Sequence, residues 1–420
     1  MTGAVYIPSM NGNRRDAQRA EREPASGTMA VCGLGALAVA MGIGRFAFTP
    51  ILPMMQDDTG LTVAQGGWLA AANYVGYLVG AVSALVVRLR PATAIRTGLG
   101  VTGVATVGMG LTHDLGTWLV LRALAGVASA WVLISVSAWC VARLAPLGRP
   151  LLVGAVFAGV GLGMAGAGLV CLLLTQGQST AATAWMTLGA VALVVTAGTW
   201  RVFGLTGGGE ERGAPILDRG ANGSRRWDGE WTRLVAAYGA FGFGYIIPAT
   251  FVPAMARHVI QNPRVFGWAW PVFGAAAAAS TMLGAASARA SDDRRRWRQA
   301  SGVMAVAVAL PALLPGMAGI VLAAVGVGGT FMVITMMGMR EARAVAGPDA
   351  TRLMAAMTAA FALGQIGGPL IAGALGDGDG GFARSLVLAS AVLAVVAGLL
   401  RPHPEPSVSA AGASAWRSRR

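Results

Sequence analysis

Two arginines sit where a cation is costly, and they are the residues best equipped for chemistry. Arg45 lies in the stretch "GIGRFAFTPILPMM", inside a run from Met29 to Met55 that carries no other charge. Arg122 lies in a second apolar run, near 116–142. A guanidinium in such surroundings must meet a counter-charge, backbone carbonyls, water or a ligand. Its planar fork of donors suits an anionic group such as a carboxylate, which lysine would hold poorly. Asn73, Tyr245 and Gln365 are the neutral polar residues placed to share a cavity with Arg45. Arg45, Asn73, Tyr245 and Gln365 therefore form the candidate substrate-binding set, with an organic anion as the expected ligand. The plainer alternative is that Arg45 snorkels to the outer surface or donates to helix carbonyls.

Other chemistries lack their residues. The chain has no GxxxxGK[ST] loop, no HExxH and no GxSxG, and His113, His258 and His403 lie near run ends or in the tail. No enzyme, metal site or cofactor is expected. Cys32, Cys140 and Cys171 show no CxxC or metal-like spacing and are expected to be buried as small hydrophobes. No apolar run holds an interior Asp or Glu; Asp114 and Glu341 lie at ends. Proton-coupled carriers often use such a carboxylate as the titrating group. Coupling is thus left to a substrate bearing its own proton, to an exchanged anion, to Asp57 or Asp58 at the mouth, or to nothing.

The elements that must position these residues follow from composition. Of 420 residues, 55% are hydrophobic and 12% charged, and mean hydropathy is +0.62. Soluble domains carry roughly twice that charge. Apolar runs of about 20 residues recur, long enough to cross roughly 30 Å of hydrocarbon. Twelve spans are expected, near 29–55, 64–87, 93–112, 116–142, 149–175, 181–203, 231–256, 265–288, 299–316, 318–340, 352–376 and 382–400. The first run is too long, and too closely followed by another, for a secretory signal peptide.

Charge then orients the spans. The net charge of +14 comes from arginine alone, with no lysine. It gathers in alternate loops: Arg14 to Arg22, Arg88 to Arg96, Arg143 and Arg149, Arg201 to Arg233, Arg289 to Arg298, Arg340 to Arg352, and the C-terminal tail. By the positive-inside rule both termini are cytoplasmic in a bacterial inner membrane. The basic balance is topology rather than a nucleic-acid footprint. Residues 204–230 read as a flexible cytoplasmic linker, with disordered tails at 1–28 and 401–420. They leave two six-helix bundles, 29–203 and 231–400. The sequon at Asn222 falls on the cytoplasmic side and is discarded. A lipid bilayer and a small solute are the expected partners, with a co-transported or exchanged ion conceivable, no nucleic acid, and a monomeric state.

The opening stretch recurs 200 residues on as "GFGYIIPATFVPAM", so that Gly42, Gly44, Pro53 and Met55 meet Gly242, Gly244, Pro253 and Met255. The same offset pairs Gly67-Trp68 with Gly267-Trp268, and "AGVASAWVLIS" with "VGVGGTFMVIT". At 204, Phe157 and Gly163 meet Phe361 and Gly367. The halves read as parallel repeats. Gly161, Gly163 and Gly166 match a dinucleotide fingerprint in form, but inside an apolar span they serve helix packing. Trp68, Trp118, Trp185, Trp231 and Trp268, near span ends, fit an interfacial belt. Pro50, Pro53, Pro248 and Pro253 would bend or end spans 1 and 7.

Six plus six spans with parallel halves resemble the major facilitator superfamily. Leu121-Arg122-x3-Gly126 looks like its span-4 motif, while "GVGLGMAGAG" and "GQIGGPLIAG" look like its glycine hinges. The opening stretch, with "GGWLAAANYVGYLVGA", is similar to the YbfB/YjiJ-type branch. The resemblance implies an all-α fold, a secondary transporter working by alternating access, and a central cavity lined by spans 1, 4, 7 and 10. It implies a structural or coupling role for Arg122 and Gly126, with Arg122 contacting neighbouring backbone or polar groups. Gly42, Gly44, Pro50, Pro53, Gly163, Gly242, Gly244, Pro253, Gly367 and Pro369 are the candidate gating and hinge residues. The superfamily's acidic residue after span 2 is missing here, where only Arg88 and Arg90 stand; Asp292 and Asp293, beside Arg289 and Arg294, would supply a latch in the second half. A transporter-like receptor without net flux, a drug efflux carrier and a lipid-handling protein are the alternatives.

Overall fold

A computed structural model describes residues 25–87, 89–205, 227–259, 267–287, 293–375 and 379–400. The tails, most of the central linker, Arg88, Arg289 and Asp292 therefore lie outside the described residues. Those described form helices joined by short turns, with no strand among them. In chain order they are α1 (Ser26–Thr59), α2 (Val63–Val86), α3 (Pro91–Leu111), α4 (Leu115–Leu144), α5 (Pro150–Gln176), α6 (Ala181–Leu205), α7 (Gly229–Val259), α8 (Ala269–Ala286), α9 (Asp293–Leu313), α10 (Met317–Ala346), α11 (Ala350–Ala374) and α12 (Asp379–Leu399). Eight segments among the described residues are long and apolar enough to cross a membrane, against the twelve expected. Part of the difference is that α10 and α11 run on through a 3-10 turn and count together as Met317–Ala372.

Local sequence sets the helix ends. Thr62 and Gln65 form a reciprocal capping box at α2, with Gln65 N donating to Thr62 Oγ1 at 3.2 Å and Thr62 N to Gln65 Oε1 at 2.9 Å. Pro91 and Pro150 open α3 and α5, where no N–H is needed. Gly60 and Gly148 close α1 and the turn after α4 at φ of 68° and 64°, a left-handed conformation that suits glycine.

α1 is the irregular element. It is α-helical over Ser26–Leu37, π-helical over Ala38–Phe46, and α-helical again over Phe48–Thr59. In the π pattern each carbonyl awaits the N–H five residues on. At its end the ladder returns to the four-residue step, with Ala47 N donating to the Ile43 carbonyl at 3.4 Å, and Pro50 has no N–H to give the next turn.

Close packing follows the glycines. Among the main neighbours, α1 packs on α5, α2 on α4, α7 on α11, and α9 on α10 and α12. A Cβ on Gly42 would lie 2.5 Å from Gly163 Cα, and one on Gly242 would lie 2.3 Å from the Phe361 carbonyl. These repeat-related glycines thus serve equivalent pairs, α1 with α5 and α7 with α11. The chain halves meet where α5 packs on α8 and α2 on α11. At the first seam, a Cβ on Gly161 would lie 2.5 Å from Ala278 N, and one on Gly274 would lie 2.6 Å from the Gly161 carbonyl.

The interfacial belt needs correcting. Trp68 and Trp268 are exposed, but Trp118, Trp185 and Trp231 are buried among helices. Trp118 donates to the Met109 carbonyl at 3.0 Å. Cys32, Cys140 and Cys171 are buried free thiols.

Candidate functional site

Arg45 stands near the end of the π-helical stretch, 3% exposed. Its Nη2 donates to Oε1 of Gln365 on α11, so a cation from the first half of the chain meets an amide from the second. Three rings surround it: the Cζ atom lies 4.0 Å from the centre of Tyr77, 5.2 Å from Tyr74 and 5.8 Å from Phe46. Such faces attract a guanidinium but accept no hydrogen bond in its plane. Arg45 Nε and Nη1 find no acceptor among the described residues, and Gln365 Nε2 is likewise without a partner. Buried donors left open in this way are costly, and a ligand with acceptor oxygens would satisfy them.

Aromatic rings continue the site into the second half. Phe46 meets Phe331 edge-on at 6.2 Å; Phe331 stacks on Tyr245 at 5.1 Å and on Phe273 at 5.8 Å. Of the four candidate substrate residues, Arg45 and Gln365 bond directly, and Tyr245 joins them through this ring series. Asn73 is turned to structure: its amide nitrogen donates to the Arg122 carbonyl at 3.0 Å, leaving Oδ1 without a partner among the described residues.

Arg122 is a brace. Nη1 donates to the Gly44 carbonyl at 3.2 Å, Nη2 to that of Arg45 at 3.4 Å, and Nε to that of Leu69 at 3.5 Å. Its Cζ lies 4.6 Å from the centre of Phe48. The Gly44 and Arg45 carbonyls are therefore bonded from α4, and the segment bearing Arg45 is pinned by a second arginine. Gly126 permits this, because a Cβ there would lie 2.2 Å from the Asn73 carbonyl.

The remaining candidates divide. A Cβ on Gly163 would lie 2.5 Å from the Ala38 carbonyl, on Gly44 2.5 Å from Thr102 Cγ2, and on Gly244 2.4 Å from Leu393 Cγ. Gly367, by contrast, would meet nothing within 4 Å; its neighbour Gly368 makes the close approach, 2.4 Å from Ile246 Cγ2. Pro50 and Pro53 lie in the last segment of α1, and Pro369 lies inside α11. Pro253 lies in α7, in a stretch whose side chains are outside the described residues.

A second polar cluster ties helix ends in the second half. Arg294 bonds Glu341 at 2.5 Å and also meets Glu230; Arg340 donates to Asp293 at 3.0 Å; Arg233 pairs with Glu230 at 3.0 Å. It staples the start of α9 to the end of α10 and the start of α7. Burial pushes the Asp293 carboxyl up to about 6, against the pull of Arg340. Asp58, at the far end of α1, accepts the Ala181 N–H and so helps to start α6.

Sequence reasoning missed Tyr74, Tyr77, Phe46 and Phe331. Tyr77 follows Asn73 by four residues on one helical face, and Phe331 is the repeat counterpart of Trp131; either relation was a usable signal.

Among solved structures, the crystal structure of the human organic anion transporter MFSD10 (TETRAN) shares the fold, with a TM-score of 0.71 and 13% identity over 90% of this chain and 100% of that one. No curated protein sequence matches the chain. The family model described as "Uncharacterised MFS-type transporter YbfB" matches residues 37–401. With so much of its length matched, this multi-pass membrane chain belongs to the YbfB family of MFS-type transporters.

Proposed function

We propose that the protein is a secondary transporter that moves an organic anion across a bacterial inner membrane by alternating access. Its acid group would lie on Arg45, and its apolar body among Phe46, Tyr74, Tyr77, Phe331 and Tyr245. Twelve crossings in two six-helix bundles, with both termini cytoplasmic, complete this reading, and the protein works as a monomer.

The observation that carries it is the buried Arg45 guanidinium, with two donors unserved among the described residues and rings on several sides. The spans hold no interior carboxylate to neutralise it, so an incoming anion supplies both charge and acceptors. The name of the superposed human protein points the same way. α5 on α8 and α2 on α11 form the seams along which the halves would rock, and glycine backbones there let helices slide closely.

The test is flux in proteoliposomes. Wild-type protein should move labelled aromatic carboxylates and leave organic cations behind, whereas Arg45→Gln should fold and insert but lose that flux. Cation transport, or normal flux in Arg45→Gln, would sink the proposal; ligand binding without flux would favour a receptor.

A further inference from the structure

The bond from Arg45 fixes which way the Gln365 amide points. A guanidinium only donates, so the amide oxygen faces Arg45 Nη2 and the amide nitrogen turns away from it. That nitrogen is itself a donor. Gln365 is 0% exposed, and its Nε2 meets no partner among the described residues. Arg45 Nε and Nη1 stand open beside it. Nη2 carries two N–H groups, and Gln365 takes one of them. The other still forms a fork with Nε or with Nη1, so a carboxylate can seat two-pronged with Gln365 in place. Such a carboxylate serves the arginine but leaves the Gln365 N–H groups without an acceptor.

Resting on the anion-carrier reading above, we propose that the substrate is an aromatic 2-oxo acid, its carboxylate on Arg45 and its 2-oxo oxygen accepting from Gln365 Nε2. Acceptors on the two N–H groups of one trigonal nitrogen lie about 5 Å apart at ordinary hydrogen-bond lengths. The Gln365 amide nitrogen adjoins one of those acceptors, so an oxygen on the carbon next to the carboxylate comes within its reach. The open groups of Arg45 and Gln365 are donors alone, and a carbonyl only accepts. A hydroxyl would instead bring a proton needing an acceptor of its own. Tyr77, Tyr74 and Phe46 line the cation with rings, which suits an aromatic body. Arg45 thus reads the acid and Gln365 reads the oxygen beside it, from opposite halves of the chain. An acid lacking that oxygen leaves a buried N–H unserved, and this cost sets the selectivity.

The experiment measures transport of three labelled monoanions of similar size in proteoliposomes. They are phenylglyoxylate, 2-phenylacrylate, in which a methylene replaces the 2-oxo oxygen, and phenylacetate, which has neither. Wild-type kcat/KM should be higher for phenylglyoxylate than for either of the others by about tenfold or more. Gln365→Met and Gln365→Leu both remove the amide. Each should bring the three anions within about twofold of one another, at whatever absolute rate survives. Equal use of the three by wild type, or the wild-type preference retained in either variant, would overturn the 2-oxo contact while leaving anion transport intact. Wild-type vesicles that move none of the three, or Arg45→Gln vesicles that move them normally, would overturn the underlying reading and this contact with it.

Discussion

Replacing Arg122 with methionine tests whether its first duty is to hold α1. The side chain keeps much of its length, but three hydrogen bonds vanish, to the carbonyls of Gly44, Arg45 and Leu69 at 3.2, 3.4 and 3.5 Å. Hydrogen bonds to charged donors contribute about 1.5–3 kcal/mol each at ordinary length. These three are long, so roughly 1–1.5 kcal/mol apiece, at or just below the bottom of that range, is fitting. Losing the contact with the Phe48 ring adds about 0.5–1 kcal/mol. The total is about 4 kcal/mol, partly relieved because a buried cation is also removed. At roughly 2.1 cal/mol/K of unfolding entropy per residue, a chain of this size should lose about 5 °C in Tm. Thermal unfolding of purified protein in detergent reads the loss directly. Arg122→Lys should recover part of it, since one ammonium cannot reach all three carbonyls. A melting temperature within 1 °C or so of wild type in Arg122→Met would refute the brace, whatever happened to flux.

Two further outcomes follow from contacts described above. Gly126→Ala should cost several kcal/mol and abolish stable expression, because its Cβ would lie 2.2 Å from a backbone oxygen, while Gly367→Ala should melt within about 1 kcal/mol of wild type; size-exclusion profiles and melting curves separate them. For Asp293 the folded carboxyl titrates near 6, above the ordinary 3.8. The native state thus holds its proton more tightly, and the associated stability is present below about 3.8 and gone once pH has risen through 6. Wild-type Tm should therefore fall relative to that of Asp293→Asn between pH 4 and 6.5, and parallel curves would show that this carboxylate is not strained by burial.

The meeting of Arg45 with Gln365 was legible because apolar runs leave few polar residues to choose among. The constant offset was legible in the sequence, and the close approaches of Gly42 and Gly242, 200 residues apart, join α1 to α5 and α7 to α11. The π-helical stretch was not: "AVAMGIGRF" reads as ordinary helix, and Pro50 is its one local hint. Nor could the sequence say that Gly368 rather than Gly367 faces α7, since one residue turns a helix by about 100° and glycine gives no hydrophobic face to orient it. Trp118, Trp185 and Trp231 read as belt residues because an aromatic near a span end looks the same whether lipid or a neighbouring helix covers it. The pairing of Arg294 with Glu341 joins residues 47 apart on different helices, beyond what spacing alone can indicate.

A fixed cation with no interior carboxylate among the spans also has an electrical consequence. If each monoanion travels alone and the protein returns empty, every turnover carries one net negative charge across the membrane. Voltage acts on that charge with about 2.3 kcal/mol per 100 mV, close to a fiftyfold concentration ratio. In a cell whose interior is negative, this alone would drive the anion outward with no proton, sodium or ATP consumed. The ratio reached would be capped by the membrane potential, so a depolarised cell would lose the ability to clear its cytoplasm of the compound.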